Sequence, residues 1–125
     1  MNKETVRRIA ETIIPAAIMI TGSVFAFNTK VKQQVREEQG HACAVCGQKG
    51  CIQIHHIVPQ CLGGADEREN AVGLCGTHHL DWDVQTIKNG VMYPGMPIEE
   101  APKHLVGDHG KFEKGVSQIL QRVRR

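Results

Sequence analysis

The sequence predicts a small α+β domain stapled by a metal ion, with an apolar helix before it and an amphipathic helix closing it. Three observations carry that expectation. Five cysteines and seven histidines stand among 125 residues, and four of them form two half-sites at metal-ligand spacing, Cys43-x-x-Cys46 and Cys75-x-x-His78. Between the half-sites, Ile52 and Ile54 alternate with Cys51, Gln53 and His55 at the period of a strand. On either side of this stretch the chain reads as helix.

The bulk composition sets the limits. A length of 125 residues fits one compact domain, and 41% hydrophobic with 22% charged residues excludes disorder for most of the chain. The net charge is only +2, from 15 basic and 13 acidic residues, so nucleic acid cannot be gripped by overall charge and any phosphate contact must be local. An odd cysteine count argues against a fully paired disulfide framework.

Taken in order, the first element is the run from Ile9 to Phe27, whose only charge is Glu11. Its 19 residues approach the length that crosses a bilayer, and they follow Lys3, Arg7 and Arg8 as a signal peptide's apolar stretch follows its basic start. Small residues up to Ala26 would permit cleavage there. Export or membrane anchoring through residues 9–27 is the favoured reading; a helix packed on a cytoplasmic domain is the alternative. Lys30, Lys32 and Arg36 on the far side balance the three basic residues before it, so orientation stays open. The chain thus divides into an apolar segment, residues 1–27, and a domain, residues 28–125, with its core motif at 43–87.

Residues 30–39 are rich in helix formers and stop at Gly40. A strand over 51–58 ends at Pro59, with the pair His55-His56 near its end and Cys51 as a small strand residue. Residues 60–70, with Gly63-Gly64 and an acidic run from Asp66, read as loop, and Cys61 as an incidental thiol in it; if the domain is exported, Cys51 and Cys61 could pair. A short apolar stretch, 71–74, precedes a helix from Cys75 to about Ile87, ended by Lys88-Asn89-Gly90. Residues 93–102, with three prolines, read as irregular chain. The last helix spans 110–125, with Phe112, Val116, Ile119, Leu120 and Val123 on one face.

Cys43, Cys46, Cys75 and His78 supply the four N/S ligands that tetrahedral Zn²⁺ prefers, and a closed set leaves no position for substrate, which makes the site structural. Such a clamp suits a small module with little apolar area to bury. A redox Cys-x-x-Cys would instead require a βαβ pattern, and none surrounds it.

Structural zinc leaves His55, His56, Asn70, His79 and Asp83 unexplained. His79 and Asp83 are four apart, on one face of the expected helix, facing the strand end that carries the paired histidines. Two imidazoles and a carboxylate make an incomplete coordination shell of the kind a catalytic divalent ion needs. Taken singly, Asn70 is an ordinary helix cap, Asp83 a solvated helix residue and His55-His56 a surface pair. Adjacent strand residues point to opposite faces, so His55 and His56 can serve one phosphate only where the strand ends or twists. His41, His104 and His109 fit no pattern and read as surface residues.

Together, Cys43-Ala-Val-Cys46-Gly47, Ile54-His55-His56-Ile57-Val58-Pro59, Gly63-Gly64, Asn70 and Leu74-Cys75-Gly76-Thr77-His78-His79 resemble the HNH endonuclease family in its zinc-stapled form. The resemblance spans about residues 30–87. It implies a ββα-metal, treble-clef-like domain that hydrolyses DNA phosphodiester bonds with a catalytic Mg²⁺, or another divalent cation such as Mn²⁺ or Ni²⁺. It further implies that His55 and His79 bind that cation, that His56 is the general base, and that Asn70 holds the loop and helps orient the base. Many members carry a third ligand four positions after the second, where this chain has Asp83; Asp81 is a weaker substitute.

Lys111, Lys114, Arg122, Arg124 and Arg125 make the C-terminal stretch basic, with Glu113 the nearby acid, and could track phosphates or form an ordinary solvated face. Five aromatic residues without basic interleaving are poor equipment for reading bases, so low sequence specificity is expected. A non-catalytic zinc module binding DNA or protein, and the same chemistry on RNA, stand as alternatives.

Overall fold

The computed structural model of the chain describes residues 27–124. The apolar segment lies outside them apart from Phe27, as does Arg125. Among the described residues no helix is long and apolar enough to cross a membrane.

Helix α1 (Thr29–Glu38) begins where the Asn28 side chain accepts the Val31 amide at 2.8 Å, satisfying a donor that the helix start would leave unpaired. It ends at Gln39, before Gly40 with φ 63°, within a residue of expectation. Its buried Val35 packs with Ala71 and with Phe27, so Phe27 belongs to the folded core.

Strand β1 (Gln53–His56) pairs antiparallel with β2 (Ala71–Leu74), placing Gln53 opposite Leu74 and His56 opposite Ala71. The strand is shorter than the 51–58 expected, because its partner offers only Ala71–Leu74, bounded by the turn at Arg68–Asn70 and by the helix that starts at Gly76. Helix α2 (Gly76–Asn89) follows β2 directly and stops at Gly90, which takes the left-handed conformation at φ 65°. β2 packs against α1, and both strands pack against α2, so the small sheet lies between two helices. Gly73 in β2 is glycine because the chain comes too close for a side chain. A Cβ there would lie 2.6 Å from Ile52 Cγ2 and 2.9 Å from the Gln39 amide nitrogen, which donates to the Gly73 carbonyl.

The connection from β1 to β2 is not a plain loop, since two 3₁₀ turns, Gln60–Leu62 and Arg68–Asn70, give it shape. Beyond α2 the expected irregular stretch contains a short hairpin, β3 (Val91–Met92) with β4 (Met96–Pro97). Helix α3 (His109–Val123) is capped by Asp108, whose carboxylate accepts the Lys111 amide at 3.0 Å. Its Phe112, Val116, Ile119 and Leu120 close a second core over Val58, Leu62, Met92, Ile98, Leu105 and Val106. Val123, expected on the same face, is 38% exposed because it lies in the last turn, beyond the elements it would need to cover.

Candidate metal centres and active-site cleft

Two groups of metal-ligating side chains form among the described residues, and within each the donor atoms lie within 4.8 Å of one another. The first is Cys43, Cys46, Cys75 and His78. The chain reverses after Cys43 through hydrogen bonds from Gly47 N to Cys43 O (2.8 Å) and from Cys43 N to Gln48 O (2.9 Å), so two residues separate two thiols on one side of a tight knuckle. Cys75 and His78 face it from the first turn of α2. Ligands about 2.3 Å from a tetrahedral zinc ion stand about 3.8 Å apart. The Cys46 Sγ to Cys75 Sγ distance is 3.9 Å, Cys43 Sγ to His78 Nδ1 is 3.7 Å, and Cys75 Sγ to His78 Nδ1 is a closer 3.1 Å. Burial would raise the Cys43 thiol, but hydrogen bonds from the backbone of Cys46, Cys75 and Val45, and from the Cys46 thiol, bring it down to about 6. The thiolate is the ligating form, so the group fits a metal ion such as zinc in chemistry and in spacing.

The second group is His55, His79 and Asp83. His55 Nδ1 lies 3.5 Å from Asp83 Oδ1, and His79 Nε2 lies 3.6 Å from Asp83 Oδ2, with the two imidazoles edge to face at 5.0 Å between centroids. His55 is almost fully buried, and its Nε2 has no hydrogen-bond partner. Burial, then the nearby charges of His79 and His56, push its pKa down to about 3. It is therefore a neutral imidazole at physiological pH, the form that binds a metal. His79 Nδ1 points the other way, 2.7 Å from Gln53 Oε1.

His56 is buried on the opposite face of β1, its ring stacked on Phe27 at 3.9 Å and 16°. Its Nε2 lies 2.7 Å from Asp66 Oδ1, which also accepts from Gln60 Nε2 at 3.1 Å. Alternation does separate the two histidines. Because β1 ends at His56, however, both line one cleft of about 320 Å³ together with His79, Asp83 and Ile87.

Asn70 does not line that cleft. It is fully buried, its Oδ1 accepts the Val58 amide (2.8 Å), and its Nδ2 donates to the carbonyls of Val58 (3.0 Å) and Ala65 (2.9 Å). Both ends of its amide thus clamp the segment that follows His56. Asp81 is exposed and stands outside the metal group.

The basic residues of α3 are spread out. Lys111 borders a hollow shared with Gln60 and Asp66, beside the segment that holds His56. Arg122 and Arg124 sit at the other end of a 15-residue helix, about 20 Å along its axis. Glu113 is not the only acid near them, since Glu99 from the preceding segment lies 3.9 Å from Arg124. His41, His104 and His109 are exposed, as are Cys51 and Cys61.

Three residues that hold the imidazoles of the cleft were not among the expected site residues. Gln53 shares the face of His55 by strand alternation, a signal that was present. Phe27 and Asp66 reach His56 only through tertiary packing.

No family model and no solved structure matches the chain. Over 28 residues it is 46% identical to a curated protein described as "Probable mobile endonuclease E" of Enterobacteria phage T4. The shared stretch is 22% of this chain and 20% of that protein, so the likeness concerns a short piece of each. It points to a nuclease, and the Cys/His group to metal binding.

Proposed function

We propose that this chain is a divalent-cation-dependent endonuclease of the HNH type, with a ββα-metal core, that cuts DNA with low sequence specificity. The observation that carries the proposal is the meeting of His55, His79 and Asp83 with His56 in one cleft, beside a second, closed Cys/His group. Cys43, Cys46, Cys75 and His78 would hold a structural zinc ion that fixes β1 against the start of α2. His55, His79 and Asp83 would hold the catalytic cation, and a mixed set of two imidazoles and a carboxylate suits Mn²⁺ or Ni²⁺ at least as well as Mg²⁺.

When bound, the cation supplies charge stabilisation at the scissile phosphate and the leaving oxygen. His56 takes the proton of the attacking water, as an imidazole can near neutral pH. Phe27 and Asp66 restrict its ring to one orientation, and Asn70 holds the backbone that follows it. Ile87 gives the cleft an apolar wall, and Lys111, which borders the hollow shared with Gln60 and Asp66, is suited to a phosphate contact.

Cleavage of supercoiled plasmid by the full chain, with Mg²⁺, Mn²⁺ or Ni²⁺ and an EDTA control, tests the proposal. Cation-dependent nicking that falls at least a hundredfold in His56→Ala is expected. Nicking that survives in that variant removes His56 as the base. Absence of cleavage with every cation favours a binding module, and cleavage of RNA alone changes the substrate.

A further inference from the structure

Among the described residues the metal-ligand histidines differ in how their second nitrogen is held. His79 turns Nε2 towards Asp83, at 3.6 Å, and Nδ1 towards the side chain of Gln53, at 2.7 Å. A carbonyl oxygen only accepts, so this contact requires the proton of a neutral His79 on Nδ1 and leaves the Nε2 lone pair directed at the group formed with His55 and Asp83. His79 comes from the first turn of α2 and Gln53 from the first residue of β1. The hydrogen bond therefore joins the two elements that carry the ligands. His79 is 28% exposed, so packing alone does not restrain its ring as it restrains the buried His55.

We propose that Gln53 is a positioning residue for the catalytic cation: by accepting the Nδ1 proton of His79 it selects the tautomer and ring orientation in which Nε2 is the ligand. This rests on the reading of His55, His79 and Asp83 as a cation site. Outer partners of this kind change metal affinity by about 10–100-fold when removed. Gln53 touches neither substrate nor cation, so its loss acts through His79.

The test uses the full chain loaded with zinc, titrated with Mn²⁺ by calorimetry and by electron paramagnetic resonance of the free ion, comparing wild type, Gln53→Leu, Gln53→Glu and His79→Ala. Gln53→Leu should weaken Mn²⁺ binding about tenfold or more with zinc content unchanged, and Gln53→Glu, which keeps an acceptor, should restore it. Long-range ¹⁵N–¹H correlation spectra of the Mn²⁺-free protein at pH 8 should show His79 protonated on Nδ1 in wild type and shifted towards the Nε2–H form in Gln53→Leu. Wild-type Mn²⁺ affinity in Gln53→Leu, with binding lost in His79→Ala, overturns the role of Gln53 and spares the cation site. Equal binding by wild type and His79→Ala, or none by wild type, overturns the cation site and the role of Gln53 with it.

Discussion

The side chain of Asn70 reproduces a backbone pairing with Val58: Oδ1 accepts the Val58 amide at 2.8 Å and Nδ2 returns a hydrogen bond to the Val58 carbonyl at 3.0 Å. A third bond reaches the Ala65 carbonyl at 2.9 Å, so one buried amide closes the turn after His56. Asn70→Ala orphans these backbone groups, and a loss of about 2–4 kcal/mol in urea unfolding is expected. Asn70→Asp keeps the acceptor but loses both donations and buries a carboxyl group, so it should not restore stability. Wild-type stability in either variant would contradict the clamp.

The same turn leaves no room at Gly64. A Cβ there would lie 1.8 Å from the Val58 carbonyl oxygen, a backbone atom that cannot move without breaking the Asn70 clamp. Gly64→Ala should therefore destabilise the protein by several kcal/mol or prevent folding, whereas Gly110→Ala, in the first turn of α3 with ordinary helical backbone and only an ordinary contact at 3.6 Å to Asp108 Oδ1, should cost far less. Thermal melts of the two variants side by side decide the point.

Chelation tests the Cys/His group. If Cys43, Cys46, Cys75 and His78 hold zinc, the binding free energy is part of the folding free energy. Treatment with a strong chelator should then melt the sheet and the start of α2, lowering the thermal midpoint by more than about 10 °C. Cys43→Ser should lower the zinc content by about one ion per chain. Unchanged metal content with an unchanged melt would rule out the staple.

His55 makes stability depend on pH in a stated direction. Burial, and then the charges of His79 and His56, hold its pKa at about 3 in the fold, against the usual 6.5 of a histidine in the unfolded chain. Between those values the unfolded chain binds a proton that the folded one does not, so this contribution is full above about pH 6.5 and is lost progressively as pH falls towards 3. Urea midpoints of the zinc-loaded protein at pH 7.5 and 5.5 should fall more for wild type than for His55→Gln. Equal falls would mean that His55 titrates alike in both states.

Most of the helical framework was legible along the chain, because its signals are local. Gly40 follows the end of α1 and Gly90 ends α2, each taking a positive φ, and the apolar spacing of Phe112, Val116 and Ile119 marks the buried face of α3. The Cys-x-x-Cys and Cys-x-x-His half-sites were legible for the same reason, since short spacing holds two ligands on one side of a turn. The β3–β4 hairpin was not: two-residue strands carry no period to detect.

By itself the sequence determined which residues could serve as ligands, that His79 and Asp83 share a helical face, and that His55 and His56 point to opposite sides of a strand. Tertiary structure alone decided that the strand ends soon enough for both histidines to border one cleft, and that Asn70 holds backbone instead of reaching into it. It also decided that Gln53, Phe27 and Asp66 surround the imidazoles. Those partners lie 10 to 29 residues from the histidines they touch, and no local rule of spacing reaches so far: the packing of the two-stranded sheet between α1 and α2, and the path of the connection that follows His56, bring them together.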